Sequence, residues 1–184
     1  MRLPYIRLKL LIGGILVFIL IAIGVYYFLG RDETAIQPAS WETYTDPSYK
    51  FSLQFPEPWT LTSVTPDNED VVASYILTDP SITTAHEEPK VLAAVHVNTR
   101  PYIQVVNRVE SDLVAVSGET VTIHTANGTE IQGTRYTGNK EILTNPMDAT
   151  VIPMSGRTLV VYSLSNSELY TEILNIVAST ITLE

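Results

Sequence analysis

The 184-residue chain contains no cysteine. That absence excludes disulfides, thiol catalysis, thiolate metal sites and a lipid-modified N-terminal cysteine, so any membrane attachment must come from the polypeptide itself. Histidine is scarce, with three residues at 86, 96 and 124, none within four positions of another. There is no H-E-x-x-H, no EF-hand loop, no G-x-S-x-G and no glycine-rich phosphate loop. No repeat recurs at 20–50 residues, and no segment is of low complexity.

Acidic residues are missing from the first 31 positions, where Arg2, Arg7 and Lys9 precede Leu10 to Leu29, twenty residues without a charge. As a helix at about 1.5 Å per residue this run spans roughly 30 Å, the hydrocarbon thickness of a bilayer. Arg31, Asp32 and Glu33 follow it. The positive-inside rule therefore predicts residues 1–9 as a basic cytoplasmic tail, 10–29 as a transmembrane helix and all that follows as outside. The competing reading is a cleaved signal peptide with Ala22-Ile23-Gly24 as a poor cleavage site, but the apolar run continues past it to Leu29. Membrane lipid is thus an expected partner of residues 10–29.

The remainder carries twenty acidic against eight basic residues, a balance of −12. Such a surface repels nucleic acid and anionic headgroups, so no nucleic-acid partner is expected. Residues 30–40, polar and containing Pro38, read as a linker. Residues 41–184 are long enough for one ordinary domain.

Within that domain Phe51, Leu53 and Phe55 alternate with Ser52 and Gln54, which predicts a strand with one buried face, ended by Pro56. A short strand is expected around Glu42 to Tyr44, and further strands over Val71 to Thr78 and Val91 to Asn98. After Pro101 the period changes. Tyr102, Val105, Val106, Val109, Leu113 and Val116 form one helical stripe, with Gly118 expected as the residue that closes the helix. Hairpins are expected at Asn127-Gly128 and Ser155-Gly156. Ser165 with Glu168 makes a capping-box pattern for a last helix whose face is Leu169, Ile173, Ile176 and Thr180, and "TITL" returns to strand alternation.

In this order the elements resemble the PsbP-like family, whose domains open on an aromatic strand of the form Y-x-F-x-(F/Y)-P-x-x-W and close on a helix followed by a strand rich in Ile and Leu. Tyr49, Phe51, Phe55, Pro56 and Trp59 match the opening; Ile173, Leu174, Ile176 and Thr180 to Leu183 match the close. The resemblance covers residues 41–184. It implies an α+β domain, an α/β/α sandwich with a central, mostly antiparallel sheet and helices on both faces. Family members of known function are binding or assembly subunits, in photosystem II and, for a fold relative, in nuclear transport through a Ran-type GTPase. Those partners do not carry over to a chain with a membrane anchor in place of a plastid transit peptide. The aromatics of the opening are then expected in the core, with an exposed carbohydrate-stacking platform as the rival reading.

No candidate for chemistry outweighs an ordinary structural role. "HEE", His86 to Glu88, sits between prolines in a loop, and a metal site shared by His86, His96 and His124 would need the fold to bring them together. "DNED", Asp67 to Asp70, reads as a solvated loop before a loose cation site. Ser155 reads as a turn residue, and Asn127-Gly128-Thr129 is only formally a glycosylation sequon. The expectation is no catalytic, cofactor-binding or metal residue and no cofactor: a single-pass, bacterial membrane-anchored extracytoplasmic protein that binds a protein partner, such as another envelope protein, or assists assembly. The rivals are an envelope hydrolase whose Ser-His or carboxylate pair meets only in the fold, and a purely structural accessory domain of a membrane complex.

Overall fold

Phe51, Leu53 and Phe55 do share one strand face, and it is the centre of the core: their exposures are 0%, 1% and 3%. The computed structural model describes residues 40–83, 89–139, 148–165 and 168–184. In chain order these form β1 (Trp41–Asp46), β2 (Phe51–Pro56), β3 (Thr60–Val64), β4 (Val71–Thr83), β5 (Pro89–Asn98), α1 (Tyr102–Asp112), β6 (Ser117–Thr125), β7 (Glu130–Thr137), β8 (Asp148–Met154), β9 (Arg157–Ser163), α2 (Glu168–Ser179) and β10 (Thr182–Leu183). The expected anchor at 10–29 and nearly all of the linker lie outside the described residues. Among the described residues no helix is long and apolar enough to cross a membrane.

The ten strands make one sheet in the order β1-β2-β10-β6-β7-β8-β9-β5-β4-β3. Every neighbouring pair is antiparallel except β10 with β6. The sheet curls until strands from its two ends touch: the Tyr44 ring on β1 lies 5.5 Å from that of Tyr75 on β4, and the Tyr49 hydroxyl donates to the Val72 carbonyl at 3.0 Å. It is nearly closed, yet β1 and β3 do not pair. β10 is held between β2 and β6, and just before it the Thr180 hydroxyl accepts from the Gln54 N–H at 2.8 Å.

Alternation along the central strands divides the packing into two layers. Leu159 and Val161 of β9 and Ile152 of β8 face the concave side with Phe51, Trp59, Tyr75 and the α2 residues Ile173, Leu174 and Val177. Val160 and Val151 face the convex side, where Val105, Val106 and Val109 of α1 pack with Leu113 and Tyr136. One helix thus covers each face. Trp59, 6% exposed with its ring 5.9 Å from Tyr170, belongs to the core. Fully burying side chains of this kind stabilises by roughly 1.5–3 kcal/mol each.

Several sequence expectations are corrected. β1, β4 and β5 are longer than predicted, and β3, whose Thr-Leu-Thr-Ser-Val lacks a clear alternation, was not foreseen at its own position. α1 stops at Asp112, well before Gly118. Its end is a Schellman pairing, with Ala115 N–H on the Glu110 carbonyl at 3.0 Å, Val114 N–H on that of Ser111 at 3.2 Å, and Val114 itself at φ 46°. Gly118 instead lies in β6 opposite Tyr136, whose Cε1 is 2.9 Å from where a β-carbon would sit. Val116, beyond the helix, is exposed.

On α2 the buried face is Ile173, Leu174, Val177 and Ala178, with Ile176 turned to solvent. The expected face was rotated by about one position because Ala178 is small enough to have been passed over for the bulkier Ile176. The side chains of Leu169 and Glu168, and hence the capping box, lie outside the described residues. Both expected hairpins are present, with Gly128 at φ 82° and Gly156 at φ 68° taking the left-handed conformation their turns require.

Candidate functional site

A cleft of about 330 Å³ opens on the convex side, beside α1 and where α1 leaves the sheet uncovered. Its floor is Ser74 and Ile76 of β4 and His96 and Asn98 of β5. One wall is α1, through Val105, Arg108 and Asp112, and the other is the β3–β4 connection from Val64 to Asn68. That connection is shaped by its own polar residues: Asn68 Oδ1 accepts the Asp70 N–H at 2.9 Å, and the Asp70 carbonyl accepts the N–H of Thr99 at 2.9 Å, tying the loop to the end of β5. Arg100 Nη2 then meets Asp70 Oδ2 at 2.6 Å, and Arg108 lies 3.9 Å from the same carboxylate and 3.5 Å from Asp112. The hydrogen bond that Arg100 donates to Asp70 raises the Arg100 pKa, favouring its charged form.

His96 is half-buried on the cleft floor with its ring 5.3 Å from that of Tyr162, near edge-to-face. Burial lowers the His96 pKa, which favours the neutral imidazole, and burial likewise raises the Tyr162 hydroxyl. Neither change creates a nucleophile. Among the described residues no serine hydroxyl is hydrogen-bonded to His96, and none of the groups of His, Asp and Glu is placed to hold a metal ion. Arg100, Arg108 and Asp112 are matched in ion pairs at the cleft's rim while Asp67 on its wall is exposed, and its floor mixes hydroxyl, amide, imidazole and apolar carbon.

The other sequence candidates are scattered. His86 and the rest of "HEE" lie outside the described residues. His124 is exposed on β6 with Nδ1 3.9 Å from Glu130, and β7, β8 and β9 separate its strand from that of His96. In "DNED", Asp70 is tied to Arg100 while Asp67 and Glu69 stay exposed. Ser155 is an exposed turn residue between Met154 and Arg157. Asn127 Oδ1 accepts from Thr125 Oγ1 at 2.5 Å and from the Thr129 N–H at 3.0 Å inside its own turn. Sequence reasoning missed Arg100, Arg108 and Tyr162. The i,i+4 spacing of Arg108 and Asp112 was a usable signal; the meeting of Arg100 with Asp70, thirty positions earlier, was not.

No family model matches the chain, and no curated protein does. A solved structure does: the solution structure of cyanobacterial PsbP (CyanoP) from Synechocystis sp. PCC 6803 superimposes with a TM-score of 0.51 at 14% identity, over 81% of this chain and 95% of that one. At that identity the likeness establishes a sheet-rich PsbP-like fold and nothing about activity.

Proposed function

We propose that this chain is a single-pass membrane protein, N-terminus in the cytoplasm, that displays residues 41–184 on the outer side of a bacterial membrane as a protein-binding or complex-assembly module. The placement is supported by the uncharged run from Leu10 to Leu29 and the three basic residues before it. The binding reading rests on the convex cleft, a recess whose arginines are held in ion pairs at the rim and whose histidine faces a tyrosine ring in place of a nucleophile. The resemblance to binding and assembly domains points the same way. A photo-reactive amino acid at Asn68, on the cleft wall, should yield a discrete adduct in living cells, while one at the exposed Gln132 of β7 should not. Equal adducts at both positions, or none, would remove the case for the cleft, and substrate turnover lost on His96→Gln would favour the hydrolase instead.

A further inference from the structure

β3 is an open edge. Its backbone pairs with β4 on one side, and no described residue pairs with the other. An edge strand directs the N–H and C=O of alternate residues away from its sheet, and natural sheets guard such edges with charge, proline, a bulge or a covering element. β3 has neither a charged residue nor a proline, and its register runs unbroken from Thr60 opposite Thr78 to Val64 opposite Ser74. Among the described residues nothing covers it either. Ser63 lies opposite Tyr75 and so shares its concave face, yet Ser63 is exposed. The other edge, β1, carries the exposed charge of Glu42.

We propose that β3 receives an extended segment of a partner protein as an added strand, a segment rich in β-branched residues and flanked by lysine or arginine. The proposal rests on the binding-module reading and gives its mode. Thr60, Thr62 and Val64 share the convex face with Ser74 and Ile76, and Val64 is also part of the cleft wall. A strand added there extends the cleft floor, so its main chain supplies affinity while a side chain near its end reaches the cleft.

Charge selects the occupant. Glu57 precedes β3, and Asp67 and Glu69 follow it, all exposed. Antiparallel pairing of two copies about Thr62 would bring the acidic flanks of the two strands, Glu57 of one and Asp67 and Glu69 of the other, toward each other, and like charges brought together repel. Basic flanks meet the same carboxylates favourably, and the −12 balance of the exported part draws such a segment in.

The test uses the full-length chain in detergent micelles and a synthetic peptide of alternating valine and threonine with two lysines at each end. Two derivatives are N-methylated on alternate residues, one along each backbone edge. The parent peptide should bind and slow amide exchange at 60–64; one derivative should lose about tenfold or more in affinity and the other should stay close to the parent. Equal affinity of both derivatives would show side-chain binding alone and overturn strand addition. So would no binding of the parent peptide at millimolar concentration, while adducts from Asn68 would still decide the binding-module reading separately. Self-association without peptide, relieved by Thr62→Lys, would overturn it in favour of a second copy.

Discussion

Tyr75 on β4 donates its hydroxyl to Oδ2 of Asp46 at the end of β1, joining strands from opposite ends of the ten-stranded sheet. Burial raises the Asp46 carboxyl, but the hydrogen bonds from Tyr75, from the N–H groups of Tyr49 and Ser48 and from Tyr44 outweigh it, and its pKa lies below the ordinary carboxylate value. A carboxylate with a lowered folded pKa contributes stability that is present above its unfolded pKa of about 4 and is lost as pH falls through the folded value. Tyr75→Phe is expected to cost about 1.5–3 kcal/mol at neutral pH, as for hydrogen bonds to charged groups. Denaturant unfolding of both proteins should show that deficit shrinking below pH 4 or so; a deficit independent of pH would mean that the ring, not the carboxylate contact, carries the effect.

Trp59 is the anchor of the aromatic opening. Truncating such a side chain costs about 3–5 kcal/mol, a large share of the roughly 5–15 kcal/mol that holds a domain together. Trp59→Ala in residues 41–184 should therefore melt far below the parent or fail to accumulate in soluble form. With Trp41→Phe as background, the emission of Trp59 should be blue-shifted and resist acrylamide; a red, readily quenched emission would place the ring at the surface.

Val114 sits at φ 46°, where a β-branched residue crowds its own backbone. The left-handed conformation costs a residue with a β-carbon about 1–2 kcal/mol, and glycine avoids it. Since Val114 is exposed, little packing is lost on replacement. Val114→Gly should raise the melting temperature, and a lowered one would mean that its side chain contributes more than its exposure implies.

His96 gives the opposite pH response to a histidine held in an ion pair. Its pKa is lowered by burial, so the unfolded chain takes up the proton first as pH falls below about 6.5, and stability present above that value is lost as pH falls through the folded pKa. His96→Gln should reduce the drop in melting temperature between pH 7.5 and about 5.

Orientation is checked independently of the fold. A reporter active only in the cytoplasm should be silent when fused after Glu184, and protease added to intact spheroplasts should digest the domain. Activity of that fusion would overturn the proposed topology.

Much of this architecture was legible where burial alternates. Phe51, Leu53 and Phe55 declared their strand because one face is apolar and the other is not, and Val105, Val106 and Val109 declared α1 because their spacing suits no strand. β3 was illegible for the same physical reason that makes it interesting: an exposed edge needs no apolar face. The end of α1 was misread because glycine is the usual closing residue, whereas here the Schellman pairing holds Val114 in its place and Tyr136 claims Gly118. The cleft was invisible because Asp70, Arg100 and Tyr162 come together only through the register of β4, β5 and β9.

β10 has a consequence for how the molecule is made. A chain leaves the ribosome first residue first, yet β2, among the earliest strands, reaches β6 in the finished sheet only through the latest one. Gln54 of β2 and Thr180, hydrogen-bonded just before β10, stand 126 residues apart in the chain. Until β10 has emerged, the β1–β2 hairpin has no neighbour on its inner side and β6 has an unmatched flank, so the sheet cannot be completed before that strand is made. A nascent domain of this design must hold a vacancy between β2 and β6 until β10 is available to fill it.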